Sequence, residues 1–254
     1  MGPWRLRGRQ REICVIRSLQ PIAQAIAICQ STKEGLLPVD SPTSELRDIE
    51  LESLSDSEVY KLLSIAVQPR PIAWVSTVGT DGVDNLAPFS FFNVASRTPP
   101  TLMFSIGERI GHPGRAKDTL INIEATGEFV VNIPARDHAR AVTVSHETVE
   151  SDIDEFVLAS VEKRDSTKVR PKAVANALVS LECTLLQTLP IGTDTVVFGS
   201  VVAATVRGDA VDERLYSDPD AGLWLARLAG PYYSAVAGGV HQDAEGSEPR
   251  GADR

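Results

Sequence analysis

The chain has 254 residues, 43% of them hydrophobic and 23% charged, with a net charge of −9. That is the composition of an ordinary globular protein of one large or two small domains, and its acidity argues against nucleic acid or anionic membrane as partners of the folded part. No window reaches the ~20 apolar residues that cross a bilayer, and the scattered Cys14, Cys29 and Cys183 form neither a disulfide framework nor a metal-ligand cluster, which fits a reducing, cytoplasmic compartment.

Residues 1–50 read as an N-terminal extension. Arg5, Arg7, Arg9 and Arg11 precede a modestly apolar Pro21–Cys29, but Gln20, Gln24 and Gln30 dilute it and no convincing cleavage site follows, so a signal peptide is not the expected reading. The domain proper is expected over 51–238. Ser55 and Glu58 have capping-box spacing, predicting a helix that carries Val59, Leu62 and Leu63 into the core until Pro69 and Pro71 end it. Arg70–Thr77 then reads as a strand, Thr80-Asp-Gly82 as a tight turn, and Asn85–Asn93 as the returning run.

A strand at about 101–106 and a Gly-rich connection over 107–114 follow. A helix is predicted from Asp118 to about Ala125, stopped by Gly127. Glu128–Ile133 alternates as a strand, and Arg136–Glu162 is expected to be mostly helical. Two long β-type runs, Leu178–Thr188 and Thr193–Arg207, precede a stretch of turns with an apolar patch around Trp224. Residues 239–254 are polar and expected to be disordered. Many strands, no βαβα alternation and no G-x-G-x-x-G after a strand favour a closed β-barrel over a Rossmann domain.

Two places carry chemistry. In Lys117-Asp-Thr119, Asp118 is expected to cap the helix, leaving N–H groups, the helix dipole, Lys117 and the Thr119 hydroxyl for an anion, with Arg115 close enough in sequence to assist. A capped helix with a solvated lysine is the competing reading. In the hairpin, Ser76, Thr77, Asn85, Ala87 and Ser90 place hydroxyls, an amide and a small residue among Phe89, Phe91 and Phe92. Such a surface suits a flat, hydrogen-bonding ligand with an apolar face, as a flavin ring is. Phe91 and Phe92 are read chiefly as packing residues. His138 and His146 are expected on a charged, solvated helical stretch, and no paired carboxylates or metal ligands stand out.

The motifs Arg70-Pro-Ile-Ala-Trp-Val-Ser-Thr77, N-x-A-P-F-S-F-F-N from Asn85, Thr98-Pro-Pro-Thr-Leu-Met-Phe-Ser105, Lys117-Asp-Thr119, Thr126-Gly-Glu-Phe-Val-Val-Asn132 and Arg227-Leu-Ala-Gly-Pro-Tyr-Tyr233 occur in one order. In that order they resemble the flavin reductase-like, FMN-binding split-barrel family, in its flavoredoxin-like branch. The resemblance implies a mainly β fold, an FMN-binding split β-barrel of Greek-key type with peripheral α-helices. It implies FMN as cofactor, or FAD as an exchangeable flavin, and NAD(P)H as the donor of a hydride to the flavin N5. A homodimer is implied, with FMN near the subunit interface and a flavin-dependent monooxygenase or another acceptor as partner. Carried over, Lys117, Asp118 and Thr119 take the phosphate place, and Asn85, Ala87, Pro88, Phe89 and Ser90 the ring-contacting segment. Arg227 and Tyr232 fall in the closing motif. The catalytic residue stays unassigned. Thr205 stands where many relatives have histidine, in Gly199-Ser-Val-Val-Ala-Ala-Thr205. A tight-FMN protein acting on a specific organic substrate, and a non-catalytic flavin-binding barrel, remain the alternatives.

Overall fold

A computed structural model describes residues 46–109, 111–112, 114–218 and 221–238. Most of the predicted extension and the whole C-terminal tail therefore lie outside the described residues. The chain divides into two units, Met1–Glu50 and Leu51–Arg254. In the first, residues 46–50 are exposed and without regular structure.

The second unit opens with a 3-10 turn (Leu51–Ser53), followed by helix α1 (Asp56–Ala66). At its start the Ser55 N–H and hydroxyl both donate to the Glu58 carboxylate, at 2.9 and 2.7 Å. The expectation that this helix carries Val59, Leu62 and Leu63 into the core is met only in part, with Val59 and Leu62 half-buried. Ser64 is its one buried residue, and Leu63 is 50% exposed. The helix is held instead by polar bonds, since the buried Arg70 guanidinium donates to the carbonyls of Ser64 (2.6 Å) and Val67 (3.2 Å).

The long first strand divides in two. Strand β1 (Arg70–Pro71) pairs with β11 (Trp224–Arg227), which pairs in turn with β12 (Tyr233–Val236). Strand β2 (Ala73–Val78) forms the predicted hairpin with β3 (Asp84–Phe89), Thr77 opposite Asn85. Gly82, at φ 89°, supplies the positive backbone angle of the turn. Strands β4 (Phe92–Arg97), β5 (Pro100–Gly107), β6 (Glu128–Ile133), β9 (Val179–Ile191) and β10 (Asp194–Val206) complete a seven-stranded antiparallel sheet in the order β3-β2-β6-β9-β10-β5-β4. The small pair β7 (Lys163–Arg164) and β8 (Ala173–Val174) lies apart.

The sheet closes on itself through side chains. Phe89 of β3 meets Phe104 of β5 at 5.4 Å between ring centroids, although the two strands lie toward opposite ends of the strand order. Phe104 in turn stacks edge-on against Phe129 of β6 at 5.6 Å. These rings share one core with Val75, Ile106, Val131, Cys183 and Val197, sealed by Leu120 and Ile123 of helix α2 (Asp118–Thr126). Burial of that apolar surface is the main force holding the barrel. Gly127 ends α2 in the left-handed conformation, φ 71°, as its position in the sequence predicts.

Residues 136–162 are far less helical than expected. They hold a 3-10 turn, the six-residue α3 (Ala139–Val144) and the four-residue α4 (Glu155–Leu158). Their charged residues give no sustained apolar face, and the connections are instead pinned singly. Trp74 donates its indole N–H to the Ser145 hydroxyl at 2.9 Å, and Asp154 caps α4 through the Phe156 N–H at 2.9 Å.

Candidate functional site

Two adjoining clefts bring most of the predicted site together. The first is lined by Asn85, Ala87 and Pro88 of β3, by Lys117, Asp118 and Thr119 at the start of α2, and by Arg109, Ser145, His146 and Glu155. The second, of about 180 Å³, is lined by Pro88, Phe89 and Ser90, by Val142, Thr143 and His146, and by Arg227 and Tyr233. Pro88 and His146 belong to both, so the two clefts run into one another beside the β3 strand.

At the first cleft, the cap of α2 differs from the expectation. Lys117 is the N-cap residue and makes no side-chain cap hydrogen bond. Asp118 is the first helical residue, and its carboxylate is taken by Arg109 Nη1 at 2.9 Å. The first-turn N–H groups of a nine-residue helix therefore keep no side-chain acceptor, the arrangement that favours an anion. Lys117 holds its ammonium 5.5 Å from the centre of the Phe89 ring. Burial pushes its pKa below the ordinary lysine range, against the attraction of Asp194.

Arg109 adds a cation that sequence reasoning missed. It is 8% exposed, bonds Asp118 and the Val149 carbonyl through its two terminal nitrogens, and leaves Nε buried with no partner. An orphaned buried guanidinium N–H is costly unless something accepts from it. The fit to a phosphate-bearing cofactor is therefore good. The donor set is two cations plus open helix N–H groups, and a buried donor there lacks an acceptor.

Four predicted hydroxyl and amide residues lie deeper than expected. Asn85 is 7% exposed and Thr119 1%. Asn85 Oδ1 accepts from Thr119 Oγ1 at 2.8 Å and from Thr77 Oγ1 at 3.1 Å, while its Nδ2 donates to Glu155 at 2.9 Å. Thr77 lines neither cleft, and neither does Ser76, whose hydroxyl donates to the Lys172 carbonyl at 2.6 Å. Both face inward because β2 is a central strand, buried on both sides. Arg115 is exposed and lines not the first cleft itself but a cavity that adjoins it, which shares Asn85, Asp118 and Glu155 with it.

At the second cleft, Ser90 accepts from Arg70 Nε at 3.2 Å, which leaves its own proton free to donate. Arg227 lies 4.7 Å from the centre of the Tyr233 ring. Tyr232 is 68% exposed and lines neither cleft, and Tyr233 takes the wall position. Side chains alternate along a strand, so starting β12 at Tyr233 decides which tyrosine turns inward. The signal was present in the paired tyrosines but not in their register.

His146 is exposed, as expected, but lies past the end of α3 rather than on a helix, where the clefts join. The surrounding protein, then the positive charges of Lys117 and Arg227, hold its imidazole below the usual histidine range. Thr205 is exposed on β10 and lines neither cleft. Among the described residues no cluster of His, Cys, Asp and Glu could hold a metal ion.

Residues 66–222 match the family described as flavin reductase like domain, and the chain belongs to that family. An uncharacterized protein of Aquifex aeolicus (strain VF5) is 36% identical over 180 residues, 71% of this chain and 91% of its own length. Among solved structures, nitrilotriacetate monooxygenase component B from Bacillus cereus is similar, with a TM-score of 0.73 and 27% identity over 79% of this chain and 100% of that one. The 2-nitrobenzoate 2-nitroreductase NbaA of Pseudomonas fluorescens gives a TM-score of 0.70 and 27% identity, covering 80% of this chain and 98% of its own. Flavoredoxins are similar at 16% identity, where the likeness shows the fold alone. The mainly β architecture is the split barrel of these flavin-related oxidoreductases, as the sequence motifs led us to expect.

Proposed function

We propose that this chain is a flavin reductase-type oxidoreductase that binds FMN along the joined clefts and takes electrons from NAD(P)H. The observation that carries the reading is the first cleft: an open helix N-terminus, Lys117, and the orphaned Nε of Arg109 converge beside β3. Those groups would hold the phosphate. The backbone of Ala87 and Pro88, with Ser90 and Arg227, would hold the ring end, and the small Ala87 lets the strand come close. When bound, FMN supplies the hydride-accepting chemistry. The chain's own task is to orient the cofactor and leave one face open for a nicotinamide, a positioning role that needs no dedicated general base.

Electrons then pass to an acceptor or a partner oxygenase, a reading favoured by the similarity to a monooxygenase component B. No described helix is long and apolar enough to cross a membrane, which agrees with a cytoplasmic reductase. We further propose a homodimer, because Tyr60 and Leu63 of α1, with Val67 just past its end, are exposed at helical spacing beside the exposed Phe91.

Anaerobic stopped-flow absorbance on FMN-loaded protein tests the assignment. Rapid bleaching with NADH or NADPH is expected and identifies the donor; flavin that stays oxidised with both sinks the nicotinamide-dependent reading. The likeness to a nitroreductase favours a second reading, a tight-FMN enzyme acting on an organic substrate. Stoichiometric FMN after gel filtration, with a nitroaromatic reoxidising the reduced protein, would select it over a reductase whose flavin exchanges.

A further inference from the structure

The buried carboxylate of Glu155, on α4 behind the first cleft, has no place in the function proposed above. It is 6% exposed, and its two oxygens accept from uncharged donors: Asn85 Nδ2 at 2.9 Å and the Leu86 N–H at 3.0 Å. Among the described residues it enters no ion pair. A carboxylate without a cation, beside a site built for an anion, is electrostatically out of place.

Its hydrogen-bond partners give it a use. An ionised carboxylate only accepts, so it holds the Asn85 amide with the NH₂ toward itself and Oδ1 toward Thr119. Thr119 must then spend its single hydroxyl proton on Asn85, at 2.8 Å, and has none to give a ligand in the cleft it lines. Protonating Glu155 on the oxygen facing Asn85 reverses every bond in the chain. The new O–H donates to Asn85 Oδ1, and the amide turns so that Nδ2 donates to Thr119 Oγ1. The Thr119 proton is thereby released toward the cleft. The other carboxyl oxygen keeps the Leu86 N–H throughout. Thr77 gives up its own bond to Asn85 Oδ1, at 3.1 Å, accepts from the turned Nδ2 instead, and keeps Asn122 as a donor, at 3.0 Å; the lost acceptor is the cost that phosphate binding must offset.

We propose that Glu155 is a positioning residue that takes up one proton when a phosphate dianion docks at α2, switching Thr119, through Asn85, into a donor to that phosphate. The inference rests on the flavin reading of the cleft and deepens it. Burial already raises the Glu155 pKa, with Asp118 adding to it, so a second negative charge nearby pushes in the same direction. The other charges around it are Arg109, paired with Asp118, then Lys117, His146 and Glu147 around the cleft, and Arg115 and Asp81 in the adjoining cavity. His146 also has a lowered pKa and could take up a proton, so the test must separate it from Glu155.

The amide of glutamine makes the same two contacts as a protonated Glu155, so Glu155→Gln reproduces the proton-loaded state without adding volume. Calorimetric titration of the full chain with FMN and with riboflavin, in buffers of different ionisation enthalpy, reads proton uptake directly. Wild type is expected to take up about one proton with FMN, weakening binding by up to about tenfold per pH unit where the carboxyl titrates, and none with riboflavin. Glu155→Gln should bind FMN at least as tightly as wild type, without that uptake, while His146→Asn retains it. Thr119→Val in the Glu155→Gln background should lose the gained affinity. Weaker FMN binding in Glu155→Gln, or undiminished uptake there, overturns the switch while leaving the flavin site standing. Wild-type FMN binding without proton uptake does the same. Absence of FMN binding to wild type removes both.

Discussion

Single residues carry the most local consequences of this structure. Lys117 meets solvent, Phe89 and the open end of α2, so Lys117→Ala should leave folding intact. Loss of a charge-assisted contact to phosphate of about 1.5–3 kcal/mol weakens FMN binding roughly ten- to a hundredfold; fluorescence titration measures it, and an unchanged Kd would take Lys117 out of the phosphate site. Gly199 is needed for a different reason. A Cβ there would lie 2.2 Å from Cζ of the buried Phe129 ring, so Gly199→Ala must displace a core aromatic. Overpacking of this kind costs about 1–3 kcal/mol, and thermal melts should show a lowered Tm. At this scale the sequence was partly legible. Lys117 and Ser90 announce themselves within motifs, whereas Arg109 and Glu155 matter only through partners 9 to 70 residues away.

At the scale of elements, the strands were readable because their apolar content and turns are local properties. Glu128–Ile133 has the bounds its alternation predicts, and Gly127 ends α2 as expected. The segment 136–162 was not readable, since its charge density resembles a solvated helix while its short turns depend on distant anchors such as Trp74. The loop 165–171 is another such case. Glu182 of β9 accepts from the N–H groups of Thr167, Lys168 and Val169 and from the Thr167 hydroxyl. Burial opposes its charge, but these donors outweigh burial and hold its carboxyl below the usual range. A depressed carboxylate pKa contributes stability that is complete above the unfolded value and is lost as pH falls through the folded one. Urea midpoints should therefore drop in acid below the ordinary glutamate range, and Glu182→Gln should flatten that dependence while lowering the midpoint near neutral pH.

For the whole molecule, strand count and the lack of βαβα alternation were enough to anticipate a barrel. The side-chain seam between β3 and β5, and the outward face of α1, were not, because both depend on how the sheet curls. Leu63 resembles a core position in sequence and lies exposed in this chain, with Tyr60 and Val67 exposed at helical spacing from it. If they pack against a second copy, sedimentation equilibrium of wild type will give a dimer, and Leu63→Arg will shift it toward monomer without altering the far-ultraviolet spectrum. A monomeric wild type would remove the homodimer from the proposal.

The pairing of β1 with β11 is reinforced by the bond from Arg70 to the Leu228 carbonyl at 3.1 Å, which joins positions 158 residues apart. During synthesis, the early hairpin and the start of α2 leave the ribosome long before Arg227 and Tyr233 exist. The nascent protein thus holds every lining residue of the first cleft well before the far wall of the second. On the proposed flavin reading, a ribosome stalled before Trp224 would carry a chain that lacks one wall of the second cleft and retains flavin poorly.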